Sequence, residues 1–347
     1  MNKKGGFPML KAAILGYGGI ARSHRSGYEL LARQQAPVKL VALCDIDPKQ
    51  FEKEVTINQG NGQESDISQY HTYTSLDEML EKEELDVIDI CLPTYLHAEY
   101  AIKLLRLGYN VQCEKPMGLS SALCDEMLAA ARESGKKLMI GMCLRFDHMY
   151  TVLKDAIDQN TYGKVTSAFF ERLSSTPRWG YDGWFQDYDR SGGVALDMHI
   201  HDVDMVRYLF GEPKAVSALV SDARLKCSAI HSTFAYDDMI VTAIGDWGKA
   251  KGFPFTMGYT VNFERATIVL NKGVVTVYPD DAEPFEAPLD PDGKGNHRMA
   301  AEIEYFARSI LGEIENTRNQ PADAANTVRL IETLKKSAEN GGKWMEE

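Results

Sequence analysis

Between Gly192 and Asp204 the sequence reads GGVALDMHIHDVD, and it continues into MVRYLFG. Most of this stretch is apolar, yet it carries Asp197 and His201 four positions apart, with Asp204 and Tyr208 beyond. Laid on a helix, the apolar side chains from Val194 to Phe210 cover most of the circumference, and the four polar residues fall together in the remaining arc. A helix so widely apolar is largely buried, so its polar stripe must face hydrogen-bonding partners or a cavity. Residues at i and i+4 are close enough to interact. A carboxylate beside an imidazole supports its protonated form and fixes its tautomer, which is how a general base is arranged. A satisfied core Asp–His pair is the other reading. On a helix the rings of His199 and His201 point to different sides and cannot share an ion, so no metal site is expected. His199 and Asp202 fall inside the apolar arc and read as a structural pair whose partners the sequence does not name.

Three further stretches could bind or react. GYGGIA contributes Gly16, Gly18, Gly19, Ile20 and Ala21 between the strand-like KAAILG and the helix-like IARSHRSGYELLARQ. This G-x-G-x-x-A in a strand–turn–helix context is a dinucleotide fingerprint: glycines for the tight turn and the close pyrophosphate, a small residue for helix–strand packing. A second strand, KLVALCD, ends in Asp45, 29 positions after Gly16. The simple fingerprint expects roughly 20; a long first helix and the QQAPVK connection absorb the excess. A carboxylate there would accept hydrogen bonds from the adenosine ribose and repel a 2′-phosphate, favouring NAD over NADP; an Asp that merely starts the turn DIDPKQ is the bland alternative. At later strand ends lie CLPTYLHAEY, with Pro93, Thr94 and His97, and CEKPMGLS, with Glu114 and Lys115. In open α/β sheets ligands bind outside the carboxyl ends of the strands, which gives Lys115 a position to act from.

Behind these residues stand two patterns. Residues 1–145 alternate short apolar strands with amphipathic helices, the signature of a parallel, doubly wound sheet covered on both faces. Residues 146–347 carry successive longer strand candidates without intervening helices, which suggests one large, mostly antiparallel sheet, closed by helices over 297–340. The expected fold class is α/β, with an N-terminal Rossmann domain and a C-terminal α+β domain. Several strands with few helices to cover their second face predict a homodimer or homotetramer.

The chain has 347 residues and a net charge of −12. That diffuse acidity disfavours nucleic acid and anionic membrane as partners, since both need a basic patch. The start MNKKGGFPMLKAAILG is too soon interrupted by Gly and Pro to be a signal segment, and no run of apolar residues is long enough to span a bilayer. Six cysteines without a C-x-x-C read as reduced, buried thiols. A cytoplasmic location is expected.

Together GYGGIA, CDIDPKQ, CLPTYLHAE, CEKP and GGVALDMHIHDVDMVRYLFG resemble the Gfo/Idh/MocA family, in the right order and over nearly the whole chain. The resemblance implies NAD(P)-dependent hydride transfer on sugars, polyols or inositols, and an open C-terminal sheet that forms a dimer interface. It also implies Lys115, Asp197 and His201 as the catalytic set: His201 the base, Asp197 its orienting partner, Lys115 the group that stabilises the alkoxide. Trp179 and Trp184 would wall the substrate side, Arg145 would face the cleft and His297 would join them. Met198, next to Asp197, adds no polar group for a sugar hydroxyl, and no substrate signature is present. A non-catalytic dinucleotide sensor on the same fold is the competing expectation.

Overall fold

The computed structural model describes residues 8–52, 66–290 and 297–346. The MNKKGGF start of the signal-segment reading lies outside them. Two compact units emerge. The first comprises Met1–Gly118, Ala122–Cys143 and His297–Ala322, and the second Leu119–Ser121, Leu144–Asn296 and Asp323–Glu347.

In the first unit, β1 (Leu10–Leu15), β2 (Val38–Cys44), β3 (His71–Tyr73), β4 (Val87–Ile90), β5 (Asn110–Glu114) and β6 (Leu138–Gly141) form one parallel sheet. Its order is β3-β2-β1-β4-β5-β6. The chain therefore reverses direction across the sheet between β1 and β4, the switch point at which such sheets bind dinucleotides. The helices are α1 (Gly19–Arg33), α2 (Leu76–Lys82), α3 (His97–Arg106) and α4 (Ser121–Ser134). The three-residue β3 carries no apolar pattern and has no counterpart in the sequence reading.

In the second unit α5 (His148–Asp158), the short α6 (Tyr188–Ser191) and α7 (Ile200–Phe210) accompany nine strands. These are β7 (Val165–Ser175), β8 (Ala215–Ser221), β9 (Ala229–Ala235), β10 (Ile240–Lys249), β11 (Thr256–Phe263), β12 (Ala266–Asn271), β13 (Val274–Pro279), β14 (Phe285–Glu286) and β15 (Met345–Glu346). Their order is β14-β13-β12-β11-β7-β10-β9-β8-β15. Every neighbouring pair is antiparallel except β7 with β10. Strict alternation of burial along β7 and β10 turns one face of the sheet inward.

Two helices follow, α8 (Arg298–Ile310) and α9 (Pro321–Glu339). The sequence reading assigned both to the second domain, but α8 belongs to the first unit. Its residues Ala300, Ile303, Phe306 and Ala307 join Ala21, Tyr28 and Leu31 of α1 in one buried cluster. Gly27 permits the approach, since a Cβ there would stand 3.0 Å from the Ala300 nitrogen. An amphipathic helix goes where its apolar stripe is matched, and here α1 supplies the match.

Candidate active site

The switch point holds the glycine loop. Gly16 has φ of +88°, and a Cβ there would lie 2.8 Å from the Cys91 carbonyl oxygen, so only glycine fits. Gly18 opens α1 with no side-chain cap and has open space where its Cβ would be, and Ala21 is fully buried. First-turn N–H groups without a capping side chain, beside a glycine with room over its Cα, suit a pyrophosphate. Asp45 follows β2, and its carboxylate accepts the Tyr17 N–H at 2.7 Å and the Asp47 N–H at 2.9 Å. It thus starts the DIDPKQ turn and also braces the glycine loop. Burial pushes its pKa up against the pull of those two N–H groups. The sequence reading missed Arg22, whose Nη1 donates to the carbonyls of Tyr17 and Gly18 at 3.1 and 3.0 Å. These residues fit a dinucleotide.

The rim residues divide. Pro93 is half-buried and starts the 3₁₀ turn Thr94–Leu96, while Thr94 is buried. His97 is buried too: Nδ1 lies 2.7 Å from the Pro116 carbonyl and Nε2 2.8 Å from the Leu92 carbonyl. Burial holds its pKa down, although both carbonyls pull the other way. Glu114 also turns inward, 5% exposed, with Oε1 2.8 Å from His24 Nε2. His97 and Glu114, expected among the cofactor contacts, both turn inward beneath the rim, where the buried sheet end offers them hydrogen-bonding partners. Lys115 stays half-buried at the end of β5, before a cis peptide to Pro116.

In the second unit the opening stretch is helical, with one departure. Ala195–His199 form a π turn before α7 continues. Single π turns inside helices are frequent at functional sites. From Val194 to Leu209 every residue is buried except Asp197, His201 and Tyr208. Asp204, placed by the sequence in the same stripe, is buried and taken up by Arg145, with Arg145 Nε at 2.8 Å and Nη2 at 2.7 Å from its two oxygens. His199 and Asp202 do not pair with each other. His199 Nε2 lies 2.9 Å from Ser232 Oγ on β9, and burial lowers its pKa to about 3. Asp202 accepts two bonds from Arg172 on β7, at 2.9 and 3.0 Å, and the Tyr150 hydroxyl lies 3.0 Å from the same guanidinium.

The residues expected on the substrate side differ in exposure. Arg145 is 2% exposed, bonded to Asp204 and Asp323, with Tyr208 stacked at 4.8 Å. Trp184 is buried, stacked on Phe185 at 3.9 Å, because aromatic rings gain more by mutual burial than at a wet wall. Trp179 is 49% exposed and meets Phe185 edge-on at 4.7 Å. His297 caps α8 by accepting the Ala300 N–H at Nδ1, with Nε2 3.3 Å from Ser26 Oγ. That is a first-unit structural task. The one group among the described residues with metal-ligand spacing is His24, Asp89 and Cys91, away from MHIH.

Residues 10–142 match the family description "Oxidoreductase family, NAD-binding Rossmann fold", and residues 150–275 match "GFO/IDH/MocA C-terminal domain". The inositol 2-dehydrogenase of Rhizobium meliloti is 30% identical over 332 residues, 95% of this chain and 90% of that protein. The chain belongs to the Gfo/Idh/MocA family. It is accordingly an NAD-dependent oxidoreductase rather than a bare dinucleotide sensor. The 2,7-anhydro-N-acetylneuraminate hydratase of Mediterraneibacter gnavus is 31% identical over 191 residues, and this chain spans 50% of that protein's length. Levoglucosan dehydrogenase, solved with NADH and levoglucosan, shares the Gfo/Idh/MocA member's fold with a TM-score of 0.81 at 18% identity, over 97% of this chain and 99% of that one. Among the described residues no helix is long and apolar enough to cross a membrane.

Proposed function

We propose that this family member transfers a hydride between NAD and a secondary alcohol or ketone of a sugar, polyol or inositol. One observation carries the reading: between Val194 and Leu209, Asp197, His201 and Tyr208 are the residues that are not buried. Bound NAD supplies the hydride acceptor. His201 takes the hydroxyl proton, Asp197 orients its ring, and Lys115 stabilises the developing alkoxide. The inositol 2-dehydrogenase relative and the levoglucosan-bound neighbour support polyhydroxylated substrates. The test is a panel of inositols, aldoses, anhydrosugars and polyols, read by NADH fluorescence. Turnover on one member is expected. A panel without turnover, in protein that binds NADH, would remove the substrate class.

Asp45 favours NAD over NADP. Asp45→Ser should lower the ratio of the NADP to the NAD dissociation constant by at least ~10-fold, about 1.4 kcal/mol, through loss of like-charge repulsion. Cofactor titrations by protein fluorescence quenching check it. An unchanged ratio would clear Asp45 of any part in selectivity.

The second-unit sheet leaves Leu219 and Ile240 exposed on strands whose alternate residues are buried. This points to a homo-oligomer, dimer or tetramer, formed through that face. Light scattering at micromolar concentration should show a multiple of 38.8 kDa; a monomer would end the idea. All six cysteines are buried thiols, which suits the reducing cytoplasm.

A further inference from the structure

Beneath the Glu-Lys-Pro turn lies a group of polar side chains that hydride transfer does not use. His24 sits on α1, five positions after Gly19, with its ring fully buried. Its Nδ1 lies 2.8 Å from Asp89 Oδ2 on β4, and its Nε2 lies 2.8 Å from Glu114 Oε1 on β5. A neutral imidazole has one N–H and can serve one carboxylate only. Two carboxylates facing the two nitrogens therefore require a proton on each. Burial pulls the His24 pKa down, but the groups around it, Asp89 foremost, together hold it well above the usual histidine range. Burial pushes the neighbouring Cys91 thiol up to about 12.

The second oxygen of Glu114 accepts the backbone N–H of Lys115 at 3.1 Å. Contact consequently runs unbroken from the glycine-loop helix, through the His24 ring, to the backbone of Lys115. His97 makes a parallel tie to the Pro116 carbonyl. We propose that His24 is a positioning residue: by bridging Asp89 and Glu114 it fixes the Glu-Lys-Pro turn to α1 and so sets the placement of Lys115. This rests on the reading of Lys115 as the alkoxide-stabilising group.

The test uses the full chain with His24→Gln and Glu114→Gln. Both are uncharged near-isosteres, and the second carries the test if the first does not fold. Folding is checked by circular dichroism and cofactor binding by NADH fluorescence. Turnover is measured on the substrate found in the panel. The reactivity of Lys115 is read independently, by competitive acetylation and peptide mass spectrometry. In folded variants turnover should fall about 10–100-fold with KM changed less, the usual cost of a slightly misplaced group, and the Lys115 acetylation rate should change severalfold. Wild-type acetylation and turnover in folded variants, with Lys115→Ala inactive, would overturn the proposal. A fully active Lys115→Ala would overturn the underlying reading instead, and the acetylation rate would still decide whether His24 holds the turn.

Discussion

His201→Ala should lower turnover by about 10²–10⁴-fold, the range expected when a general base is removed. The loss should appear in kcat, because the imidazole acts on the proton as it leaves and not on cofactor binding. NADH affinity should stay within a few-fold. Asp197→Asn keeps the side chain's shape and should cost less than His201→Ala, since orientation survives in part. Lys115→Ala should reduce turnover more than it weakens NADH binding. If the three work as one unit, Lys115→Ala combined with His201→Ala loses less than the two single losses multiplied. His199→Ala is the control: it removes a buried neutral ring bonded to Ser232, so it should lower stability but leave folded protein active. Steady-state kinetics on each variant settle the assignment. Near-normal turnover in His201→Ala, with His199→Ala folded but inactive, would reverse the face of the helix on which the mechanism depends.

The largest loss of stability should follow Asp202→Ala. Arg172 and Asp202 are 3% and 0% exposed, and burial pulls the guanidinium pKa down while Asp202 returns it above its ordinary range. Removing the carboxylate leaves a buried cation with the Tyr150 hydroxyl and the Met257 sulfur as its remaining contacts. Breaking one side of such a pair costs about 3–5 kcal/mol, a large share of the roughly 5–15 kcal/mol that holds a domain. Asp202→Leu combined with Arg172→Met should recover most of the loss, since apolar replacement of the whole pair is often neutral. Urea denaturation of the single and double variants measures this. A loss under about 1 kcal/mol in the single variant would mean that the pair is dispensable.

The stripe on the opening helix was legible in part: periodicity separates Asp197, His201, Asp204 and Tyr208 from their apolar neighbours, but Asp204 is buried. The glycine loop was legible because a tight turn after an apolar strand admits few residues. The π turn was not, since a one-residue widening leaves no mark in an apolar run such as Ala195-Leu196. Asp204 and Arg145 pair across 59 positions, and local spacing cannot report a partner so far off. His24, Asp89 and Glu114 left a trace that continuous apolarity concealed. Asp89 in VIDIC and Gln112 and Glu114 in NVQCE occupy alternate positions of two neighbouring strands, and Asp89 stands opposite Gln112. Polar residues on one face of two central strands imply polar partners on the helix above, and the histidine of IARSHRSG was available. The place of α8 was hidden for another reason: its amphipathic stripe shows that it packs, but not against which helix.

That packing bears on how the chain is made. α1 ends at Arg33 and α8 begins at Arg298. At roughly 5–20 residues per second a ribosome takes on the order of 10–50 s to bring the second helix out after the first. Throughout that interval Ala21, Tyr28 and Leu31 lack the α8 residues Ala300, Ile303, Phe306 and Ala307 that share their buried cluster in the finished protein. Glu302, which arrives with α8, lies fully buried, and burial, with the Glu114 charge near it, raises its carboxyl pKa well above the ordinary range. The nucleotide-binding half, first to be synthesised, is therefore among the last to be completed, and nascent chains halted before residue 298 would present an open apolar groove to chaperones.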